Sequence, residues 1–275
     1  MDLAKNISLN FKYLTYLKLL MEAELNRGQF SAFVRDNGYD IIKNGCHVWR
    51  GDKYELALDR NWKNPGYEQT DEHPVVCVSW IDAQAYAKWL SAKTGNYYRL
   101  LSESEWEYSA RANSRKRTKF YFGDFDSDIC NYANSADLSI RGKYLGWTFS
   151  DCVDGYLNTA PIKSFGSPNL FGLHDMLGNV WEWVEDCWHG DYVGAPKDGA
   201  VWRGSCEGDR RVIRGGGWGD TPKNIRSANR NGDSLNLRDD YTGFRLVREI
   251  NFRSSSVPDS SGVGGDTGSA TGGTL

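Results

Sequence analysis

Eleven tryptophans share this chain with 30 glycines, against only 7 prolines and 3 methionines. That pairing limits the fold more than any other feature. An indole buries a large surface but needs an acceptor for its N–H, and glycine opens the φ > 0 backbone that tight, irregular turns require. At 275 residues the chain is long enough to bury most of its apolar surface without a staple. The expectation is a core built beneath long loops, with sparse regular secondary structure.

The 33 basic and 36 acidic residues give a net charge of -3 and a pI of about 5.9, and they interleave rather than form blocks. This argues against nucleic acid or an anionic membrane as an obligatory partner. A mean hydropathy of -0.60 and the lack of any apolar run near ~18 residues exclude a transmembrane helix. Residues 13–21 are apolar but broken by Lys18, with no small-residue cleavage site after them, so no secretory signal is read. The expected compartment is cytoplasmic, or a cell surface if the chain is a trimmed mature form. Cys46, Cys77, Cys130, Cys152, Cys187 and Cys206 form no C-x-x-C pair. They fit neither a zinc site nor a dense disulfide scaffold, so most are expected to be buried thiols, with one bridged pair possible.

Local signals predict three helices. One follows Asn26, with Gln29 as the returning half of a capping box, Phe30, Phe33 and Val34 as the apolar stripe, and Gly38 as the stop. A second runs from Ser79, with Asp82 at its third position and Tyr86, Trp89 and Leu90 inward, to Gly95. A third starts at Ser102 with Glu105 as box partner and carries Trp106. From residue 120 to 249 the periodicity fades into Gly-, Asn- and Asp-rich loops, with short strand candidates at 180–184, 212–214 and 243–247. The mixture reads as α+β with much coil. Residues 1–249 are expected to form one domain and residues 250–275, Gly/Ser/Thr-rich and nearly without apolar content, a disordered tail.

Four ordered blocks carry more. They are HPVVCVSWIDAQAYAKWL at 73–90, YRLLSESEWEYSARA at 98–112, NLFGLHDMLGNVWEWVEDCW at 169–188, and RVIRGGGW with GFRLV at 211–218 and 243–247. Together they resemble the signature blocks of the formylglycine-generating-enzyme (sulfatase-modifying-factor) family, whose fold is an elaborated C-type-lectin-like one. The usual G-x-F-x-M-G opening strand is absent. In that family copper is held by two thiolates in the loop before GFRLV, and soft Cu(I) needs soft sulfur. The corresponding positions here are Pro222 and Ser227, so no copper is expected and the chain reads as no enzyme. The resemblance also implies two structural calcium sites, one from Asn134 and Asp154 with backbone oxygens of Ser135 and Tyr156, the other from Asp175 and Glu182 with backbone oxygens of Gly178 and Val180. Hard cations want such mixed carboxylate and carbonyl oxygens. The four histidines, His47, His73, His174 and His189, are isolated and read as satisfied structural residues.

Residues 218–244 show a frame of Trp, Arg, Leu, Gly and Phe interrupted by small clusters. The frame resembles the variable region of diversity-generating retroelement target proteins, in which adenine-directed mutation of asparagine codons alters residues on one exposed face. The candidate positions are Gly219, Asp220, Thr221, Ile225, Asn229, Asn231, Gly232, Asp233, Ser234, Asp239, Asp240, Tyr241 and Thr242. Each is reachable from an asparagine codon by changing adenine. Turn preference explains most of them but not Ile225 or Tyr241. The arginines between them, Arg226, Arg230, Arg238 and Arg245, would hold the loops while surface residues vary, and Tyr241 would be the aromatic anchor. The loops at 189–192 and 203–209 would join that face. The expected function is a non-enzymatic binder of an unknown protein or surface ligand, the acidic Asp233, Asp239 and Asp240 favouring a basic or hydrogen-bond-donating epitope. The alternative is a sulfatase-modifying-type enzyme or accessory acting on a peptide cysteine.

Overall fold

The computed structural model describes residues 21–39, 41–112, 117–144 and 146–249. The tail expected over 250–275 and most of the segment read for a signal lie outside them. The three helices form where the capping signals put them. The Asn26 side chain accepts from the Gln29 amide and receives the reciprocal bond at the start of α1 (Arg27–Asn37), which Gly38 ends at φ 59°. Ser79 with Asp82 opens α2 (Trp80–Thr94), and Ser102 with Glu105 opens α3 (Glu103–Arg111). Each box satisfies two amides that a helix start leaves orphaned, and such a cap is typically worth about 1 kcal/mol.

The hairpin of β1 (Cys46–Arg50) and β2 (Lys53–Ala57) is an addition to the elements read from sequence, as is β3 (Tyr97–Leu100). The strand candidates at 180–184 and 212–214 become β4 (Trp181–Cys187) and β5 (Arg210–Arg214), and β6 (Arg230–Ser234) adds an edge. The candidate at 243–247 splits. Its first half, β7 (Thr242–Phe244), pairs parallel with β4, and β8 (Leu246–Glu249) pairs antiparallel with β3. Arg245 sits at the break, 1% exposed, because its guanidinium turns inward to Glu182. The central sheet runs β6-β5-β4-β7. In place of the missing opening strand, the Met21 amide donates to the Leu246 carbonyl at 3.0 Å and the Leu25 amide to Phe244 at 2.8 Å.

The main core packs Phe30, Phe33, Tyr86, Trp183 and Phe244 between α1, α2 and the sheet, and smaller cores surround Trp106 and Ile225. Indoles find acceptors as expected: Trp80 on the Val184 carbonyl, Trp183 on Val78, Trp106 on Glu182, Trp181 on Asp220 and Trp218 on the Asp240 carbonyl. The expectation for the cysteines fails. All six pair, as Cys46–Cys77, Cys130–Cys152 and Cys187–Cys206. Pairing follows from which loops the fold brings together, and cysteine spacing alone carries no record of that.

Candidate functional site

Aromatic rings from several separate segments converge on one face. Trp147, from the loop before Cys152, stacks on Tyr144 with ring centroids 4.6 Å apart and on Trp218 at 5.8 Å. Trp49 of β1 meets Trp147 edge-on at 5.2 Å, and Tyr54 of β2 meets Tyr241 in the same way at 5.2 Å. Tyr54, Trp147, Trp181, Trp218 and Tyr241 border a cleft of about 440 Å³, whose remaining lining is Gly219, Asp220, Asn224, Asn229, Arg230 and Asn231. The hairpin ring Tyr54 and the loop ring Trp147 were not read from sequence. Their signal was only the general need of exposed aromatics for neighbours.

Five of the candidate variable positions line this cleft: Gly219, Asp220, Asn229, Asn231 and Tyr241. Thr221, Asp233 and Ser234 are half-buried beside it, Ser234 donating to Asp209 at 2.8 Å. The others are corrections. Ile225 is fully buried against Phe120, Ile129 and Leu177, so apolar packing accounts for it. Gly232 lies under Trp188, where a Cβ would come within 2.4 Å of the ring. Asp239, Asp240 and Thr242 are buried: the Asp239 carbonyl accepts from the Cys77 amide at 2.7 Å, and the Asp240 carbonyl accepts from the Tyr67 hydroxyl. They form the cleft's support rather than its surface. Gly232→Ala is therefore expected to cost about 1–3 kcal/mol through overpacking, and Asn231→Ala less than about 0.5 kcal/mol, as read by denaturant melts.

The framing arginines act as expected by clamping loops to acids on other elements. Arg230 grips Glu103 of α3 at 2.7 and 2.8 Å, Arg238 grips Asp82 of α2 at 2.8 and 2.9 Å, and Arg245 grips Glu182 of β4 at 2.7 Å twice. Such forked pairs fix orientation as well as charge. Arg226 instead donates to the Lys223 carbonyl. The loop at 189–192 braces this frame from behind: Arg230 lies between the rings of Trp188 and Tyr192, 4.4 Å from each, and His189 stacks on Trp202. Neither it nor the loop at 203–209 lines the cleft. The other histidines are also hydrogen-bonded, His47 to Arg238, His73 to Thr70 and His174 to Phe165.

Burial, with its neighbour's charge, pushes the Asp240 carboxyl up to about 8, and burial pushes Asp239 up to about 7. The sign follows from linkage: the folded state holds these protons to higher pH than the unfolded chain, so stability falls as pH rises from about 4 to about 8. Asp240→Asn removes its share of that loss. The variant's melting temperature is expected to match the parent's at pH 4 and exceed it above pH 8, and equal melting curves at both ends would refute the sign.

Residues 18–250 match the model of the sulfatase-modifying factor enzyme 1-like domain. The chain belongs to this family. It is 34% identical over 221 residues to the formylglycine-generating enzyme of Thermomonospora curvata, covering 68% of this chain and 66% of that protein. It is 30% identical over 196 residues to the inactive C-alpha-formylglycine-generating enzyme 2 of Bos taurus, covering 68% of this chain and 55% of that protein. The chain thus matches two thirds or less of the length of these curated relatives. Among solved structures, PvdO from Pseudomonas aeruginosa superposes with a TM-score of 0.66 at 36% identity, over 84% of this chain and 80% of that one. Variable protein 1 of Treponema denticola does so with a TM-score of 0.58 at 21% identity, over 84% of each. The fold of this sulfatase-modifying-factor domain is C-type-lectin-like.

Of the two positions expected to stand where the family has thiolates, Ser227 is buried, its amide donating to the Lys119 carbonyl and its own carbonyl accepting from Arg214; neither it nor Pro222 lines the cleft. The two implied calcium sets differ in fit. In the first, the Asn134 amide oxygen is buried without a partner, and burial, with the charge of Asp137 added, pushes Asp154 up to about 7. The unpartnered Asn134 oxygen is a donor of the kind a hard cation takes. It is the amides of Ser135 and Tyr156, at 2.9 and 2.8 Å, that face Asp154. The second set does not fit. Both Glu182 oxygens are on Arg245, Asp175 accepts from the Lys163 amide at 2.7 Å, Gly178 donates its amide to Gly215 and Val180 is in the core. A guanidinium already provides the positive charge there.

Proposed function

We propose that this chain is a ligand-binding member of the sulfatase-modifying-factor family, with the aromatic cleft as its binding site and the residues at Gly219, Asp220, Thr221, Asn229, Asn231 and Tyr241 as its variable surface. The observation that carries this reading is the lining of the cleft: rings, amides, one carboxylate and one paired arginine, with no sulfur. Every cysteine sulfur is held in a disulfide away from it. An inactive relative within the same family supports the reading. The rigid arginine frame lowers the ordering cost of binding, as in a matured paratope.

Sequencing sister copies from the source genome tests it. Differences are expected at the cleft positions, with Ile225, Gly232, Asp239, Asp240 and Thr242 constant; differences spread over the core would sink the idea. The likeness to formylglycine-generating enzymes keeps a second reading, an enzyme acting on a peptide cysteine. Incubating the full chain with Cu(I), oxygen and a cysteine-bearing peptide decides it, with no aldehyde product expected by mass spectrometry.

Calcium belongs to the proposal as a structural ion at Asn134 and Asp154. Millimolar calcium is expected to raise the melting temperature by several degrees relative to chelator, by mass action on the folded state, and Asp154→Asn to abolish the difference.

A further inference from the structure

We propose that the cleft takes an organic cation, an ammonium or guanidinium group, between its aromatic walls; this rests on the binding reading above and names its ligand class. Five of the lining side chains are aromatic, Tyr54, Trp147, Trp181, Trp218 and Tyr241. Aromatic faces carry negative quadrupole density and attract cations, most strongly where water is excluded. Rings alone would also suit an apolar ligand, so the charges around them decide the class.

The cleft's own cation is already engaged. Arg230 is held by both oxygens of Glu103 and lies against Trp188 and Tyr192, so it offers little to an incoming anion. Asp220 is different. Its carboxylate accepts from the Trp181 indole at 2.7 Å, the Gly217 amide at 3.0 Å and the Asn224 amide at 3.0 Å. These donors are neutral, and among the described residues no basic group forms an ion pair with it. Asp239, Asp233, Asp240 and Asp220 also stand close enough to the Tyr241 hydroxyl to act on it, Asp239 and Asp240 once their protons leave at about 7 and about 8. Asp240 also keeps one buried oxygen without a partner. An anionic ligand would meet the Asp220 carboxylate, and a neutral one would draw little from it. A cation gains from both rings and field.

Two sources share this chemistry, a lysine or arginine side chain of a peptide and a free small ammonium compound. The full chain is titrated, by calorimetry and tryptophan fluorescence, with two matched pairs: choline against its uncharged carbon analogue 3,3-dimethylbutanol, and a capped Gly-Arg-Gly peptide against the same peptide with citrulline. At least one cation is expected to bind about tenfold more tightly than its neutral twin, and which pair shows the gap identifies the source. Asp220→Asn, which keeps the side-chain shape, is expected to lower cation affinity roughly fivefold while leaving the neutral twin unchanged. Trp147→Ala, checked for an unaltered melt, is expected to remove the fluorescence response. Neutral twins binding equally well, or no probe binding, overturns the cation inference. Neutral binding that still depends on Trp147 overturns it while leaving the binding-protein reading intact, whereas aldehyde formation on the cysteine peptide removes that reading itself.

Discussion

Exchanging Arg245 for methionine is expected to cost the domain about 3–5 kcal/mol, the range for removing one partner of a buried ion pair. The guanidinium is 1% exposed. It bonds both oxygens of Glu182 and the carbonyls of His174 and Asp175. Without it Glu182 and Asp175 would be buried with no counter-charge, alongside Glu24, whose carboxyl is already pushed well above the usual range by burial and by the Asp175 charge. For a domain of this size the loss corresponds to a fall of roughly 10–15 °C in melting temperature. Pairing Arg245→Met with Glu182→Gln is expected to recover part of it, since the amide oxygen still accepts from the Trp106 indole and only Asp175 is left without its counter-charge. A single variant melting within a degree or two of the parent would refute the structural role given to this pair. The same variant probes the second calcium set: if millimolar calcium restores its stability and leaves the parent unchanged, the carboxylates accept a hard cation once the guanidinium is gone.

The helices and this ion pair differ in how far the sequence announces them. Asn26–Gln29, Ser79–Asp82 and Ser102–Glu105 are contacts three residues apart, so a local reading reaches them, and the helices begin where it says. Arg245 and Glu182 lie 63 residues apart, and only the fold shows that the arginine turns inward and splits one apparent strand into β7 and β8. The strand β6, RNGDS, has no apolar residue to mark it; it is a strand because β5 beside it supplies the partners. The cleft was half legible. The resemblance to a variable region pointed to the right loops, and five of its positions line one cavity, but codon reachability says nothing about burial. Ile225, which seemed to argue most strongly for variation because turn chemistry does not explain it, is core. Gly232 and Thr242 pass the codon test and are closed in by Trp188 and by the sheet.

Reduction of the three disulfides is expected to have the largest effect of all. In the chain-entropy account, bridges spanning 31, 22 and 19 residues each contribute about 3 kcal/mol. Their sum is comparable with the whole stability of an ordinary domain, about 5–15 kcal/mol. They also hold the loops that make the cleft. Cys46–Cys77 fixes the hairpin to the segment whose Cys77 amide holds the Asp239 carbonyl, and His47 bonds the backbone of Arg238 and Asp240 on the same floor. Cys130–Cys152 closes the loop that carries Trp147, and within that loop the Ala136 amide reaches the Asp220 carbonyl at 2.9 Å. Cys187–Cys206 ties β4 to the loop before β5, close to the Trp188 that covers Gly232. Incubation with excess dithiothreitol is therefore expected to lower the melting temperature by more than 15 °C and to abolish the fluorescence response of the cleft, with oxidised protein showing no free thiols by alkylation and mass spectrometry. Such dependence would favour an oxidising compartment as the place of work, against the cytoplasmic expectation. A reduced chain that melts within a few degrees of the oxidised one would leave the arginine clamps as the principal restraint on the loops and would remove the argument for that compartment.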